Sequence, residues 1–139
     1  MKNILIIHGP NTNLIGLISS NNGTRITLDK LNRHIRKHIR NKNVSIKIIQ
    51  TNNEDKAVSY LQKNRNKFNG IVISPGVWQL SAFVLKDLLD ILKKPFITVS
   101  YRDNEKVSIL SGFKDIHNSN IFLAYETAID SMIKKINND

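Results

Sequence analysis

"GIVISPGVWQLSAFVLKDLLDILKKPFITVS", residues 70–100, carries the fold in one unbroken passage. Gly70–Gly76 opens on consecutive apolar residues, the pattern of a strand covered on both faces, and Pro75 and Gly76 stop it. Leu80–Lys94 then repeats apolar residues at helical spacing until Pro95 ends the run, and Pro95–Ser100 reads as another short strand. Strand, helix and strand in so short a space make a crossover unit whose two strands lie parallel.

The alternation extends in both directions. Asn3–His8 (NILIIH) is a first strand, and from Thr27, a fitting N-cap, Leu28, Leu31, Ile35 and Ile39 recur at helical spacing. Val44–Gln50 (VSIKIIQ) is a second strand. Asn53–Phe68 is a helix with Ala57, Val58, Leu61 and Phe68 inward and Glu54 and Asp55 near its positive end. Val107–Gly112 (VSILSG) reads as a short fifth strand. Asn120–Ile136 is the last helix, with Ala124, Tyr125, Ile129 and Met132 among its inner residues. The expectation is a single α/β domain over residues 1–139, a five-stranded parallel sheet with helices on both faces. Such sheets hold ligands beyond the carboxyl ends of their strands. The turns His8-Gly9-Pro10-Asn11, Ser74-Pro75-Gly76 and Ser100-Tyr101-Arg102 should therefore lie side by side.

Composition narrows the classes. The 139 residues are 40% hydrophobic and 23% charged, ordinary for a soluble globular chain. No apolar run approaches the ~20 residues that cross a bilayer. Pro10 and Asn11 cut the opening apolar stretch short of any signal-peptide pattern, so the expected location is cytoplasmic, with no membrane partner. The absence of cysteine excludes disulfides, thiolate chemistry and Cys-based zinc sites. Lys and Arg number 21 against 11 Asp and Glu, a formal charge of +10, with much of the excess in Arg33–Lys47. Such a field suits a polyanion. Asn, Lys and Ile crowd the whole chain, however, so the excess reads as compositional drift and nucleic acid is not expected. His34 and His38, four apart among Arg33, Arg36 and Lys37 with no carboxylate beside them in sequence, read as a solvated basic face; no metal is expected. His8 reads as a hydrogen-bonded structural residue and Trp78 as a core or subunit-contact ring.

Gly9–Gly16 (GPNTNLIG), Gln50–Asp55 (QTNNED), Ile73–Leu89 (ISPGVWQLSAFVLKDLL) and Lys94–Ser100 (KPFITVS) resemble, in order, the blocks of type II 3-dehydroquinate dehydratase, the shikimate-pathway lyase. The resemblance implies a flavodoxin-like three-layer fold, self-association as a trimer and a dodecamer of four trimers, and no cofactor. It also implies dehydration of 3-dehydroquinate to 3-dehydroshikimate. In the family a tyrosinate, held ionised by an arginine, takes the proton, and an asparagine positions a water on the enolate. A histidine oriented by a glutamate then protonates the leaving hydroxyl, an acid–base scheme that needs shifted pKa values.

Carried over position by position, the resemblance thins at the chemistry. Asn11 matches the family asparagine and is the one catalytic position retained. The arginine position falls on Ile18 and the tyrosine position on Gly23, and Leu17–Thr24 holds no basic or phenolic side chain; the nearest base is Arg25. Thr98 and Ser100 stand where the family has its glutamate and histidine. Ser74 replaces an asparagine and Leu80 a histidine, while Gly76 and Asp87 fit, the latter reaching a neighbouring subunit's site in the family. After Ser100 the chain runs about a dozen residues short of the family pattern.

The residues expected to hold a small carboxylate or quinate-like ligand are Ser74, Gly76, Val77, Asp87, Ser100, Tyr101 and Arg102. The Arg102 guanidinium would offer a fork for the anion, in competition with pairing to Asp103 or Glu105. Tyr101 stands as a candidate replacement base, although neighbours on a strand point to opposite faces and Arg102 need not meet it. The sequence thus points to a weakly active or inactive homologue with an anion-binding crevice. The alternatives are a lyase or hydrolase with rearranged catalytic residues, or a basic surface that binds nucleic acid or another acidic partner.

Overall fold

The structure, a computed structural model, describes residues 1–20, 24–102 and 108–138. Strands β1 (Lys2–His8), β2 (Val44–Gln50), β3 (Gly70–Ser74), β4 (Phe96–Ser100) and β5 (Lys114–His117) form one sheet in the order β2-β1-β3-β4-β5. Every pair is parallel. The helices are α1 (Ile15–Ser20), α2 (Leu28–His38), α3 (Glu54–Asn64), α4 (Phe83–Leu92) and α5 (Ile121–Asn137). This is the expected five-stranded α/β architecture.

Successive strand residues face opposite sides. Ile4 and Ile6 of β1 join Val72, Ile97 and Val99 beneath α2 and α5, while Leu5 and Ile7 join Ile71 and Ile73 beneath α3 and α4. Burial on both faces is why these strands read as unbroken apolar runs. Each fully buried Ile or Leu contributes about 1.5–3 kcal/mol. Because β2 and β3 flank β1, strand order reverses at the β1/β3 boundary, which puts a crevice beyond the ends of those strands.

The helix starts are fixed by side chains that accept otherwise unpaired N–H groups. Thr27 Oγ1 accepts from Lys30 N–H at 3.2 Å, and Asn120 Oδ1 from Leu123 N–H at 3.1 Å. Asn53 Oδ1 accepts from Asp55 and Lys56 at 2.8 and 3.3 Å. α4 lacks a cap of its own, and Glu54 Oε2 from the start of α3 accepts its Leu85 N–H at 3.0 Å. Asn53→Ala is expected to cost about 1 kcal/mol and Asn53→Gly about a few tenths, read as shifts in urea midpoint.

Three boundaries differ from the sequence reading. α3 ends at Asn64, so Phe68 lies beyond the helix, though it remains in the same buried layer. α4 begins at Phe83, after a 3-10 turn over Gly76–Leu80. The fifth strand is Lys114–His117 and not Val107–Gly112. Val107 lies outside the described residues. Leu110 instead exchanges two hydrogen bonds with the buried Gln79 side chain, donating to Oε1 at 2.7 Å and accepting from Nε2 at 3.0 Å, which draws its backbone out of the sheet. The apolar letters of that stretch bury Leu110; they do not form a ladder.

No helix among the described residues is long and apolar enough to cross a membrane.

Candidate functional site

The turn that ends β1 is held by backbone geometry. Gly9 N–H donates to Ser74 O at 3.0 Å, and any Cβ at Gly9 would collide with that carbonyl and crowd the Trp78 ring. Only glycine allows β1 and β3 to end so closely. Trp78 is buried over this crossing, a core ring. Asn11 takes a left-handed conformation, φ 68°, and its N–H donates to Asn52 Oδ1 at 2.9 Å. Gln50 Nε2 donates to Gly9 O at 3.3 Å and to Asn52 Oδ1 at 3.1 Å. The first turn and the end of β2 are thereby joined, with the Asn11 side chain exposed.

Beyond the strand ends the three turns meet as expected. Ser74, Gly76, Ser100, Tyr101 and Arg102 border a space of about 20 Å3, with Ile18 of α1 opposite. Ile18, Tyr101 and Arg102 also line an adjoining cavity of about 820 Å3 that reaches Asn120, Ile121 and Phe122 at the start of α5. Tyr101 and Arg102 therefore share a wall. The opposite-face expectation fails because β4 stops at Ser100 and strand alternation ends with it. Asn11, Val77 and Asp87 line neither cavity; all three are exposed. Arg25 lies against Gly16 and lines neither. Gly23, Asp103 and Glu105 lie outside the described residues, and with them the proposed Arg102 ion pairs.

Beneath the crevice runs a buried chain of polar groups that the sequence reading did not assemble. Asn32 Oδ1 can only accept, so His8 Nε2 carries the proton that donates to it, at 2.8 Å. The other ring nitrogen, Nδ1, then accepts from the Tyr125 hydroxyl at 3.1 Å, and Ser74 Oγ donates to Tyr125 Oη. His8 and Tyr125 are fully buried and Ser74 nearly so. Burial lowers His8 to about 4 against the smaller opposing effect of the Asn32 hydrogen bond. Burial first, then the field of Tyr101, pushes the Tyr125 phenol well above its ordinary range, opposed by the bond from Ser74. An imidazole and a phenol thus meet in their neutral forms and out of contact with solvent. His8 is structural, as its sequence context indicated.

β5 brings a second set of groups to the sheet edge. Thr98 pairs in register with Asp115, and Ser100 with His117. Thr98 Oγ1 donates to Asp115 Oδ1 at 2.6 Å, and Ser111 Oγ donates to Oδ2 at 2.8 Å. Asp115 and His117, two apart on one strand face, line a space of about 140 Å3 with Thr98, Ser100 and Gln79. The misplaced fifth strand concealed them; the signal was the Asp-x-His alternation in "KDIH".

The basic helix also differs from expectation. His34 Nε2 bonds Glu126 Oε2 at 2.9 Å, and His38 Nε2 bonds Asp130 Oδ1 at 2.8 Å. Carboxylates distant in sequence therefore face the histidines across α2 and α5, and both rings are paired and only partly exposed. Among the described residues no group of three or more His, Asp or Glu is arranged to hold a metal ion.

Comparisons with known proteins agree with this geometry. The family model "Dehydroquinase class II" matches residues 2–132. A 3-dehydroquinate dehydratase of Clostridium botulinum (strain 657 / Type Ba4) is 32% identical over 99 residues, 71% of this chain and 67% of that protein. In fold, the chain resembles the type II dehydroquinases of Butyrivibrio crossotus and Propionibacterium acnes. Their TM-scores are 0.83 and 0.85 at 24% and 22% identity, with 94% and 96% of this chain covered and 97% of each of theirs. A chain matched by the family model over nearly its whole length, with this sheet order and these strand-end turns, belongs to the class II dehydroquinase family.

Proposed function

We propose that this protein keeps its family's ligand-binding crevice, selective for a carboxylate, and carries out the dehydration of 3-dehydroquinate to 3-dehydroshikimate weakly or not at all. The observation that carries this is the wall of the crevice. Ile18 lines it where the family places its activating arginine, and Thr98 and Ser100 stand where the family places its acid pair. The Tyr125–His8 pair does not supply the lost groups, because a base of this mechanism needs an accessible phenolate and burial favours the neutral phenol. Arg102 and Ser100 at the strand ends support anion binding, whereas the Ser74 hydroxyl, expected to join them, has its one proton on Tyr125 Oη.

General acid and base each contribute about 10²- to 10⁴-fold, so the loss of both leaves little turnover. With saturating 3-dehydroquinate, turnover is expected more than about a hundredfold below an ordinary enzyme's ~10 s⁻¹. Turnover within that hundredfold overturns the proposal.

A second reading, a lyase with rearranged residues, draws support from Asp115 and His117, an acid pair one strand over from the family's position, and from Tyr101 on the crevice wall. It predicts measurable dehydration that disappears in His117→Gln and Tyr101→Phe.

Self-association fits the exposed apolar side chains Val77, Leu80, Phe83 and Val84.

A further inference from the structure

The larger cavity is not built like a site for a polyhydroxylated acid. Arg102 is the one charged side chain among its described lining residues. Four others, Ile18, Ile26, Ile121 and Phe122, are apolar. Two of the polar ones are already committed within the protein. Ser19 Oγ donates to Ile26 O at 3.1 Å while accepting Ile26 N–H at 2.7 Å. Asn120 Oδ1 accepts Leu123 N–H as the cap of α5. The remaining polar residues of the lining are Tyr101, half-buried, and Thr24 and Ser119, both exposed. A ring carrying several hydroxyls would lose their hydration here and meet few partners, an uncompensated desolvation.

An apolar body meets the opposite situation. Phe122 is stacked on His34, ring centroids 4.1 Å apart and planes 9° from parallel, and His34 is in turn bonded to Glu126. The aromatic wall is thus fixed before any ligand arrives, which lowers the ordering cost of binding. A volume of about 820 Å3 lies within the ordinary range for small-molecule sites.

We propose that this crevice takes a monocarboxylate with an aromatic or branched aliphatic body, its carboxylate on Arg102 and its body against Ile18, Ile26, Ile121 and Phe122. The inference rests on the reading of the crevice as an anion site and names the ligand class for it. Polarity in the ligand body, not its charge, is what the wall discriminates against.

Two acids of equal charge separate the possibilities, 3-phenylpropionate and quinate, titrated into the full chain by calorimetry. The expected result is at least about tenfold tighter binding of 3-phenylpropionate, the effect of removing one modest apolar contact area from water. Arg102→Ala should weaken it about tenfold. Ile18→Ser should narrow the ratio between the two acids. Quinate binding as tightly as 3-phenylpropionate, or more tightly, overturns the ligand class, while its weakening by Arg102→Ala would leave the anion-crevice reading standing. Binding of neither acid at ~10 mM overturns both.

Discussion

Tyr125→Ala is expected to destabilise the protein by about 3–5 kcal/mol, the range for deleting a large buried aromatic ring. The ring is fully buried between α5 and the sheet, in the cluster that includes Ile6 and Val72. Truncation would open a cavity there and also remove the partner of both Ser74 and His8. Tyr125→Phe separates the two effects, because it keeps the packing and removes the hydroxyl alone. Leaving His8 Nδ1 and Ser74 Oγ without that partner should cost about 1–3 kcal/mol. Urea denaturation at neutral pH reads both values. A Tyr125→Phe protein as stable as the parent would show that the buried hydroxyl contributes nothing net. Among the described residues no buried side-chain nitrogen or oxygen lacks a partner, so the phenylalanine variant would introduce a defect the fold otherwise avoids.

The second large effect is on acid stability. His8 titrates at about 4 in the folded protein against 6.5 for an unperturbed imidazole, because burial disfavours the cation. Between those values the unfolded chain binds a proton that the folded chain refuses. Stability therefore falls as pH drops from 6.5 towards 4, is independent of this group below that, and is fully retained above 6.5. The shift corresponds to about 3 kcal/mol over the window. His8→Gln removes the titrating ring, so the difference in unfolding free energy between pH 7 and pH 4 should shrink by about that amount. If parent and variant lose equal stability over the window, His8 is not the group responsible. The comparison is internal to each protein, so any fixed cost of the substitution cancels.

The layers of the fold were legible because they rest on local pattern. β1 and β3 are unbroken apolar runs, and Thr27 announces its helix by the cap it forms. What escaped was whatever depends on distant partners. Glu126 reaches His34 across 92 residues, and Tyr125 reaches His8 across 117, distances at which no spacing rule operates. β5 escaped for the opposite reason. It is an edge strand of four residues with three exposed side chains, so burial left almost no apolar imprint on it. The more apolar Ile109–Leu110 nearby satisfied the pattern without being the strand.

One feature of the core bears on how the polypeptide acquires its shape. α5 supplies Ile121, Ala124, Tyr125, Ala128, Ile129, Met132 and Ile136 to the side of the sheet that Ile4 and Ile6 begin. During synthesis that side lacks the cover of α5 until residues beyond 121 leave the ribosome, although its first strand was made more than a hundred residues earlier. Long-range closure of this kind is slow, and a greasy half-finished surface is prone to aggregate meanwhile. Chaperone dependence, if tested by pulse-labelling, should be concentrated in the interval before the final helix emerges.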